Sequence, residues 1–350
     1  VSASINYNNV KSNIDIKLKG AGSDHWKHPN KWSFKVKVKN NHYINGMRKF
    51  DLMNPSTRGY NKEWIFHKLL KYEGLIYKRI MYVNLNVNGK ELGLYVLVED
   101  LDKNLIENNQ RRNGPIVGYD KSIHILESIR LNKIDHGLGD SNFYSKSVIT
   151  YNNQSTLPEE KEVSLSILEN VRKGSIGLDE GFDIKNMGRF LAIKALMVSM
   201  EFDPNDTPFY YNTVTTKLEP VGQEIHSLND RVGNWWINNA NNRNSQFHKI
   251  FFSNNKLLKS YYESLTRICT KKYLDQFFKL IDDELNYVNL IILSEYETFE
   301  TEKSRYYDNV KYINVLTNPI KEIHSYKIDY NNSKYNVSVG NLQFWPIELM

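Results

Sequence analysis

Residues 79–99 read RIMYVNLNVNGKELGLYVLVE, and their pattern predicts the clearest β-hairpin of the chain. The turn is Asn88-Gly89, because this pair readily takes the positive φ angles of a two-residue hairpin turn. Residues 92–98 are nearly all apolar, so we expect this strand to lie inside a sheet rather than at its edge. The strand runs directly into the acidic segment EDLD at residues 99–102.

A second predicted hairpin precedes this one. Residues 14–19 (IDIKLK) and 31–38 (KWSFKVKV) alternate between apolar and polar side chains, which is the period of half-buried strands. The connection contains Gly20 and Gly22, and the backbone amides of such a tip can approach phosphate oxygens closely because glycine has no Cβ. A plain hairpin loop is the alternative, and it is the more frequent meaning of two glycines.

Residues 61–75 (NKEWIFHKLLKYEGL) predict a helix that ends at Gly74, because apolar residues recur at helical spacing and glycine commonly follows the last turn. Glu63 lies in the first turn, where the helix dipole favours a carboxylate. Stabilisation of the helix end is the simpler role for this residue. The functional alternative is an ion pair with a lysine of the preceding strand, either Lys35 or Lys37.

The period of the apolar residues changes along the chain from about two to about 3.6. We therefore expect an α+β protein with an antiparallel sheet and one helix in residues 1–103 and a mainly helical part in residues 158–325. Residues 104–157 are polar and mostly irregular, which is typical of an insertion or linker. Residues 326–350 resemble the start of a C-terminal β module. Because the chain begins at Val1 rather than Met, we expect a fragment of a longer polypeptide.

The composition limits the classes of function. The chain has 46 Lys and Arg against 40 Asp and Glu, a net charge of +6. Its lysines are scattered and no arginine-rich block occurs, which argues against nucleic acid as a partner. No run of about 18 apolar residues occurs, so we expect no transmembrane segment within these residues. The single cysteine, Cys269, excludes an intramolecular disulfide and a cysteine-based zinc site.

Residues 201–224 (EFDPNDTPFYYNTVTTKLEPVGQE) place an acidic turn before a predicted pair of strands. The turn holds Asp203, Asn205 and Asp206, and the second strand leads to Glu224. Mg²⁺ prefers carboxylate and phosphate oxygens, so this set suits a metal-dependent phosphoryl-transfer site. If Asp203 and Glu224 converge on a metal, repulsion should raise the pKa of at least one of them. The same residues are ordinary turn formers, and the local pattern alone favours that simpler interpretation.

Several motifs, taken in order, resemble the spore-coat CotH family of atypical protein kinases between residues 14 and 222. The motifs are IDIKLKGAGS, NKWSFKVKV, NKEWIFHKLLKYEGL, VNLNVNGKELGLYVLVEDLDK, RRNGPI, FLAIKAL and FYYNTVTTKLEPVG. The resemblance implies a two-lobed atypical protein-kinase-like fold, with an antiparallel-sheet N-lobe and a mainly helical C-lobe. It also implies ATP and Mg²⁺ or Mn²⁺ as cofactors, and protein Ser or Thr side chains as phosphate acceptors. A spore coat, a cell surface or another extracytoplasmic site is the location that the resemblance implies.

The resemblance assigns roles to residues of the predicted sheet and helix. Gly20, Gly22 and Ser23 would cover the phosphates of the nucleotide. Lys35 would match the basic residue that the family carries on its second strand, and Glu63 would be the partner of that residue on the helix. Such a set positions the phosphates and neutralises their charge, which is most of what phosphoryl transfer requires of a protein.

The remaining roles that the resemblance assigns fall on the connection and on the acidic turn. Glu99 to Leu101 would form the hinge that faces the adenine. Asp203 would be the catalytic base or a metal ligand, and either Asn205 or Asp206 would be a second metal ligand.

One position departs from the family pattern. After KLEPVG the family carries an aromatic residue and then Asp, whereas this chain has Gln223 and Glu224. The longer side chain of glutamate moves the carboxylate by about a bond length, and Mg²⁺ demands near-ideal octahedral geometry. The chain is therefore either a phosphotransferase or a non-catalytic kinase-like module that binds nucleotide or a partner in a coat or cell-surface assembly.

Overall fold

The computed structural model describes residues 1–20, 23–40, 42–119, 147–151, 156–198, 207–225, 250–318, 320–331, 333–343 and 345–347. The first hundred residues form a six-stranded antiparallel sheet with the order β1-β2-β3-β4-β6-β5. Its strands are β1 (Ser2–Tyr7), β2 (Val10–Leu18), β3 (Phe34–Val38), β4 (Lys49–Met53), β5 (Ile80–Val87) and β6 (Lys90–Glu99).

The hairpin that the sequence predicts is present as β5 and β6, and the prediction that the second strand lies inside the sheet is confirmed, because β6 pairs with β4 and β5. The sequence analysis missed β1 and β4. In β4, residues 50–53 are all buried, so this strand has no alternation of apolar and polar residues to reveal it. A short 3-10 helix, Pro55–Arg58, follows β4, and Asn54 caps it.

The two faces of the six-stranded sheet differ in chemistry. One face carries a cluster of buried apolar residues that includes Ile14, Val36, Phe50 and Leu97. Because side chains alternate across a strand, the neighbouring residues point to the opposite face. That face carries a cross-strand row in which Lys17 lies opposite Lys35 and Lys35 lies opposite Asp51. The sheet therefore has an apolar core on one face, and on the other a charged row beside a smaller buried cluster of Met53, Val96 and Val98.

Helix α1 (Lys62–Tyr72) joins the sheet to the helical part of the protein. Its apolar side chains, including Phe66 and Leu69, lie in the largest apolar core together with residues of the later helices. The expected glycine follows the helix, and Gly74 has a φ of +68°. The left-handed conformation there suits glycine, which has no Cβ to clash.

A second antiparallel sheet has the order β10-β9-β7-β8. Its strands are β7 (Ile116–Tyr119), β8 (Ser147–Tyr151), β9 (Phe209–Asn212) and β10 (Lys217–Pro220). The segment expected to be irregular thus contributes β7, β8 and helix α2 (Lys103–Asn108). All four residues of β7 are buried, so its sequence shows no alternation. The regular run SIHILESIRL at residues 122–131 lies outside the described residues.

The second half of the chain is rich in helices. They are α3 (Pro158–Lys173), α4 (Leu178–Gly181), α5 (Ile184–Leu196), α6 (Asn255–Ile268), α7 (Lys271–Leu293) and α8 (Lys303–Thr317). Asp183 caps α5, since its Oδ1 accepts from the Asn186 backbone N–H at 2.9 Å. Helices α5 and α6 approach closely at Gly188, where a Cβ would lie 2.6 Å from the Ser260 backbone.

A two-stranded hairpin follows the helices and is formed by β11 (Ile323–Asn331) and β12 (Lys334–Asn341). Beyond it, Trp345 packs on Tyr261 and Tyr262 of α6, with ring centroids 5.4 and 5.3 Å away. Among the helices that the structure describes, none is long and apolar enough to cross a membrane.

Candidate functional site

Ion pairs cover the charged face of the six-stranded sheet. Lys35 Nζ lies 2.7 Å from Asp100 Oδ2 and 3.3 Å from Asp51 Oδ1. Lys19, just beyond the end of β2, lies 2.6 Å from Asp51 Oδ2. Asp51 is buried, and it is reached by both lysines because β4 lies next to β3 in the sheet. The strand order thus places opposite charges side by side.

Glu224 joins this face from the other half of the chain, shortly after β10. Lys19 Nζ donates to its Oε1, and Arg58 Nη2 donates to its Oε2. Burial alone would raise the pKa of Glu224, but Lys19 and Arg58 outweigh that effect and hold it well below its usual value. We call Lys19, Lys35, Asp51, Arg58, Asp100 and Glu224 the charge cluster.

Arg58 is held by the connection between β2 and β3. Its Nη1 donates to Asp24 Oδ2 at 2.8 Å, and its Nη2 lies 3.2 Å from His25 Nε2. Burial lowers the pKa of His25, and the neighbouring Arg58 lowers it further, so this ring is an acceptor for the guanidinium. Gly20 lies against the ring with a φ of +82°, and a Cβ there would be 2.0 Å from His25 Cδ2. The glycine therefore lets His25 reach Arg58.

Glu63 lies behind the charge cluster in the first turn of α1. Only 1% of its surface is exposed, and neither carboxylate oxygen has a hydrogen bond. Burial raises the pKa of Glu63 to about 7, and the nearby charge of Glu224 contributes in the same direction. His67, one turn later in α1, has its Nε2 4.0 Å from Glu63 Oε1.

Lys78 lies between α1 and β5, and only 3% of its surface is exposed. Its backbone N–H donates to His67 Nδ1 at 3.0 Å. Its ammonium group has no hydrogen bond or ion pair with any residue that the structure describes. Burial lowers the pKa of Lys78, and the attraction of Asp100 partly opposes this.

The expected ion pair between Glu63 and Lys35 or Lys37 is not formed, and this prediction is wrong. Lys35 is held by Asp51 and Asp100, because the strand order β3-β4-β6 brings both acids next to it. Lys37 is exposed and has no ion pair within the described part of the chain.

The predicted hinge residues Glu99 and Leu101 are buried and contact other parts of the protein. Glu99 is fully buried, and its carboxylate accepts from the backbone N–H and the Nε of Arg79 at 3.1 and 3.0 Å. Leu101 packs in a small apolar cluster with Ile76 and with Ile116 and Tyr210 of the second sheet. The backbone of this segment leads from β6 into α2, whose N-terminus Asp102 caps.

Of the predicted glycine tip, the structure describes Gly20 and the backbone of Ser23, where a short 3-10 helix begins. Gly22 lies outside the described residues, as do the predicted metal ligands Asp203, Asn205 and Asp206. The position of Asp203 relative to Glu224 therefore stays a prediction.

Glu224 does not have the environment expected of a metal ligand. Both of its oxygens are bound by cations, and its pKa is lowered rather than raised. Within the described ranges, no group of three or more His, Cys, Asp or Glu residues is arranged to hold a metal ion. The described residues as they stand thus do not fit a divalent cation, and we assign no chemical step to one.

Two cavities reach the charge cluster. One of about 450 Å³ is lined by charged residues of the sheet: Asp15, Lys17, Lys35, Lys37, Lys49 and Asp100. Another of about 490 Å³ lies beside Asp24 and Arg58. A larger cavity of about 720 Å³ lies between the start of α1 and residues 295–302, and no residue of the charge cluster lines it. The excess of lysines makes the first cavity the best match to an anionic ligand.

Four residues of the site were not identified from the sequence: Lys19, Asp51, Arg58 and Lys78. Lys19 could have been found, since it continues the alternation of residues 14–19 to the glycine tip. The others carry no local pattern, because their role depends on which strands become neighbours.

Comparison with known families agrees with the resemblance found in the sequence. The model of the family described as CotH kinase protein matches residues 16–345, which is nearly the whole chain. No curated protein matches the chain. The family match extends well beyond the motifs, which end at residue 222, and includes the helical part of the structure. The chain belongs to the CotH kinase protein family.

Proposed function

We propose that the protein is an ATP-dependent phosphotransferase that phosphorylates Ser or Thr side chains of proteins. Membership of the CotH kinase protein family supports a kinase-like protein. The observation that carries the proposal is the cavity of about 450 Å³, which four lysines line and which reaches the charge cluster through Lys35 and Asp100. A nucleotide triphosphate carries several negative charges, and a set of lysines beside it supplies the neutralisation that phosphoryl transfer requires.

In this proposal the six-stranded sheet and α1 act as the N-lobe of a kinase-like fold, within residues 1–103. Residues 104–157 are an insertion, residues 158–325 are the C-lobe, and residues 326–350 begin a further β module. Two observations support this division. Glu99 ends β6 and leads into the connection to α2, and Glu224 returns to the sheet from the later half.

The charged residues would bind and orient the phosphates. In the described structure Lys19 is paired with Asp51 and Glu224, so an incoming triphosphate would replace carboxylates as the anionic partner of Lys19. Asp203 would orient the acceptor hydroxyl or bind a metal, together with Asn205 or Asp206. Asp203 with Asn205 or Asp206, which lie outside the described residues, would hold the Mg²⁺ or Mn²⁺ that the family resemblance implies.

A second function has a specific observation in its favour. Glu224 is bound by both Lys19 and Arg58, and a carboxylate in two ion pairs is poorly available to a metal. This arrangement suits a non-catalytic kinase-like module that binds nucleotide or a protein partner. A coat or a cell surface is the setting that we propose for either function.

The test is transfer of labelled γ-phosphate from ATP, with Mg²⁺ or Mn²⁺, to the protein itself and to offered proteins. We expect labelled phosphoserine or phosphothreonine with the wild type and no label with Asp203→Asn. The control is Lys90→Met, which alters an exposed lysine at the start of β6 and should leave transfer unchanged. Equal labelling by wild type and Asp203→Asn would contradict the role of Asp203.

A further inference from the structure

Among the residues that the structure describes, Lys78 is a buried lysine of the site whose ammonium has no ion pair. Lys19 and Lys35 each contact two carboxylates, and Arg58 contacts Asp24 and Glu224. The ammonium of Lys78 has no hydrogen bond or ion pair within the part of the chain that the structure describes. Buried lysines are rarely left unpaired, because removing an ammonium from water is costly without a compensating anion.

The backbone holds Lys78 in a fixed position. Its N–H donates to His67 Nδ1 of α1. The next residue, Arg79, is tied to the Glu99 carboxylate, and Ile80 then pairs with Val98 of β6. The Lys78 side chain therefore belongs to a backbone segment that is bonded both to α1 and to the sheet. A residue held in this way can present its charge to a ligand with little loss of entropy.

Electrostatics connects Lys78 to the charge cluster. Asp100 exerts the strongest attraction on its ammonium, followed by Asp51 and Glu224, while Lys19 repels it. None of these carboxylates lies within the 4.0 Å of an ion pair. Lys78 does not itself line the cavity of about 450 Å³, but Asp100 does, so an anion that enters there approaches a carboxylate that attracts the Lys78 ammonium.

We propose that Lys78, rather than Lys35, is the lysine that binds the phosphate groups of the nucleotide. This inference rests on the proposed function and adds a residue to its site. A phosphate oxygen would give the buried ammonium an anionic partner, which no described residue supplies. Lys35 is already bonded to two acids at the edge of the cavity, and its role is to hold Asp51 and Asp100 in place.

The first experiment compares binding of ATP and of adenosine to wild type, Lys78→Met and Lys35→Met by titration calorimetry. A phosphate contact affects only ATP. We expect Lys78→Met to weaken ATP binding at least tenfold with adenosine binding unchanged, and Lys35→Met to weaken ATP binding by less than threefold. Lys90→Met is the control and should bind both ligands as the wild type does.

The binding results distinguish a failure of the Lys78 assignment from a failure of the proposed function. Unchanged ATP binding by Lys78→Met, or equal losses of ATP and adenosine, would overturn the role of Lys78 while leaving the phosphotransferase proposal in place. A greater loss of ATP affinity with Lys35→Met than with Lys78→Met would also overturn the role of Lys78. Failure of the wild type to bind ATP would refute both this inference and the ATP dependence of the proposed function.

A second experiment needs no variant and therefore does not depend on the folding of Lys78→Met. An acyl phosphate of ATP transfers its acyl group to a lysine beside the phosphates: the amine attacks the acyl carbonyl, an amide forms, and ATP leaves. Mass spectrometry of the labelled wild type should find the acyl group on Lys78, and free ATP should compete for labelling. Labelling of Lys35 or Lys19 with none on Lys78 would refute the assignment.

Discussion

Replacement of Glu63 by glutamine should remove a pH dependence of stability. Its carboxyl group is buried without hydrogen bonds, and burial raises its pKa from 4.5 to about 7. Below pH 4.5 the group is neutral in both the folded and the unfolded state, so its contribution to stability is fully present. As the pH rises through 7, the folded protein must accommodate a buried charge, and that contribution is lost.

The size of the effect follows from the change in pKa. A rise from 4.5 to about 7 corresponds to a loss on the order of 3 kcal/mol in the free energy of unfolding across this range. Glutamine has nearly the same shape and no charge at any pH. We therefore expect Glu63→Gln to equal the wild type near pH 4.5, apart from a constant offset, and to gain relative stability of about this size by pH 8.

The assay is urea denaturation of both proteins at a series of pH values. Glu162→Gln is the control, because Glu162 is exposed on α3 and forms no ion pair with a described residue. This variant should follow the wild type at every pH. A difference between Glu63→Gln and wild type that stays constant from pH 4.5 to pH 8 would show that Glu63 titrates normally and that the buried environment described above is wrong.

Two further changes probe the charge cluster and the connection before β3. Glu224→Gln should lower the free energy of unfolding by about 3 kcal/mol in urea denaturation, because Lys19 and Arg58 lose a buried counter-charge. Asp24→Asn alters a more exposed partner of Arg58 and should lower the free energy of unfolding by less. A decrease equal to that of Glu224→Gln would contradict this explanation. Gly20→Ala should lower the melting temperature more than Gly89→Ala. Both glycines have positive φ, but a Cβ would meet His25 only at Gly20, and equal shifts would refute the contact.

The local chemistry of the chain predicted some elements well. The hairpin of β5 and β6 followed from the Asn88-Gly89 turn and its apolar second strand, and α1 followed from helical spacing and Gly74. Both signals are contained within about 20 residues, so no distant contact is needed to read them.

The partners of the charged residues could not be predicted in this way. Lys35 was expected beside Glu63, but β4 lies next to β3 and supplies Asp51 instead. Glu224 was identified from the family pattern, yet its partners Lys19 and Arg58 are 205 and 166 residues away in the sequence. Such pairs depend on the strand order and on how the two halves meet, which local periodicity does not encode.

The most direct test of the proposed function compares wild type with Glu224→Asp in the transfer of labelled phosphate from ATP. The account predicts incorporation into protein Ser or Thr by the wild type. Glu224→Asp restores the family residue at this position, so its activity should be equal or higher. No incorporation by either protein, into itself or into any offered protein with Mg²⁺ or Mn²⁺, would contradict the phosphotransferase and favour the non-catalytic module.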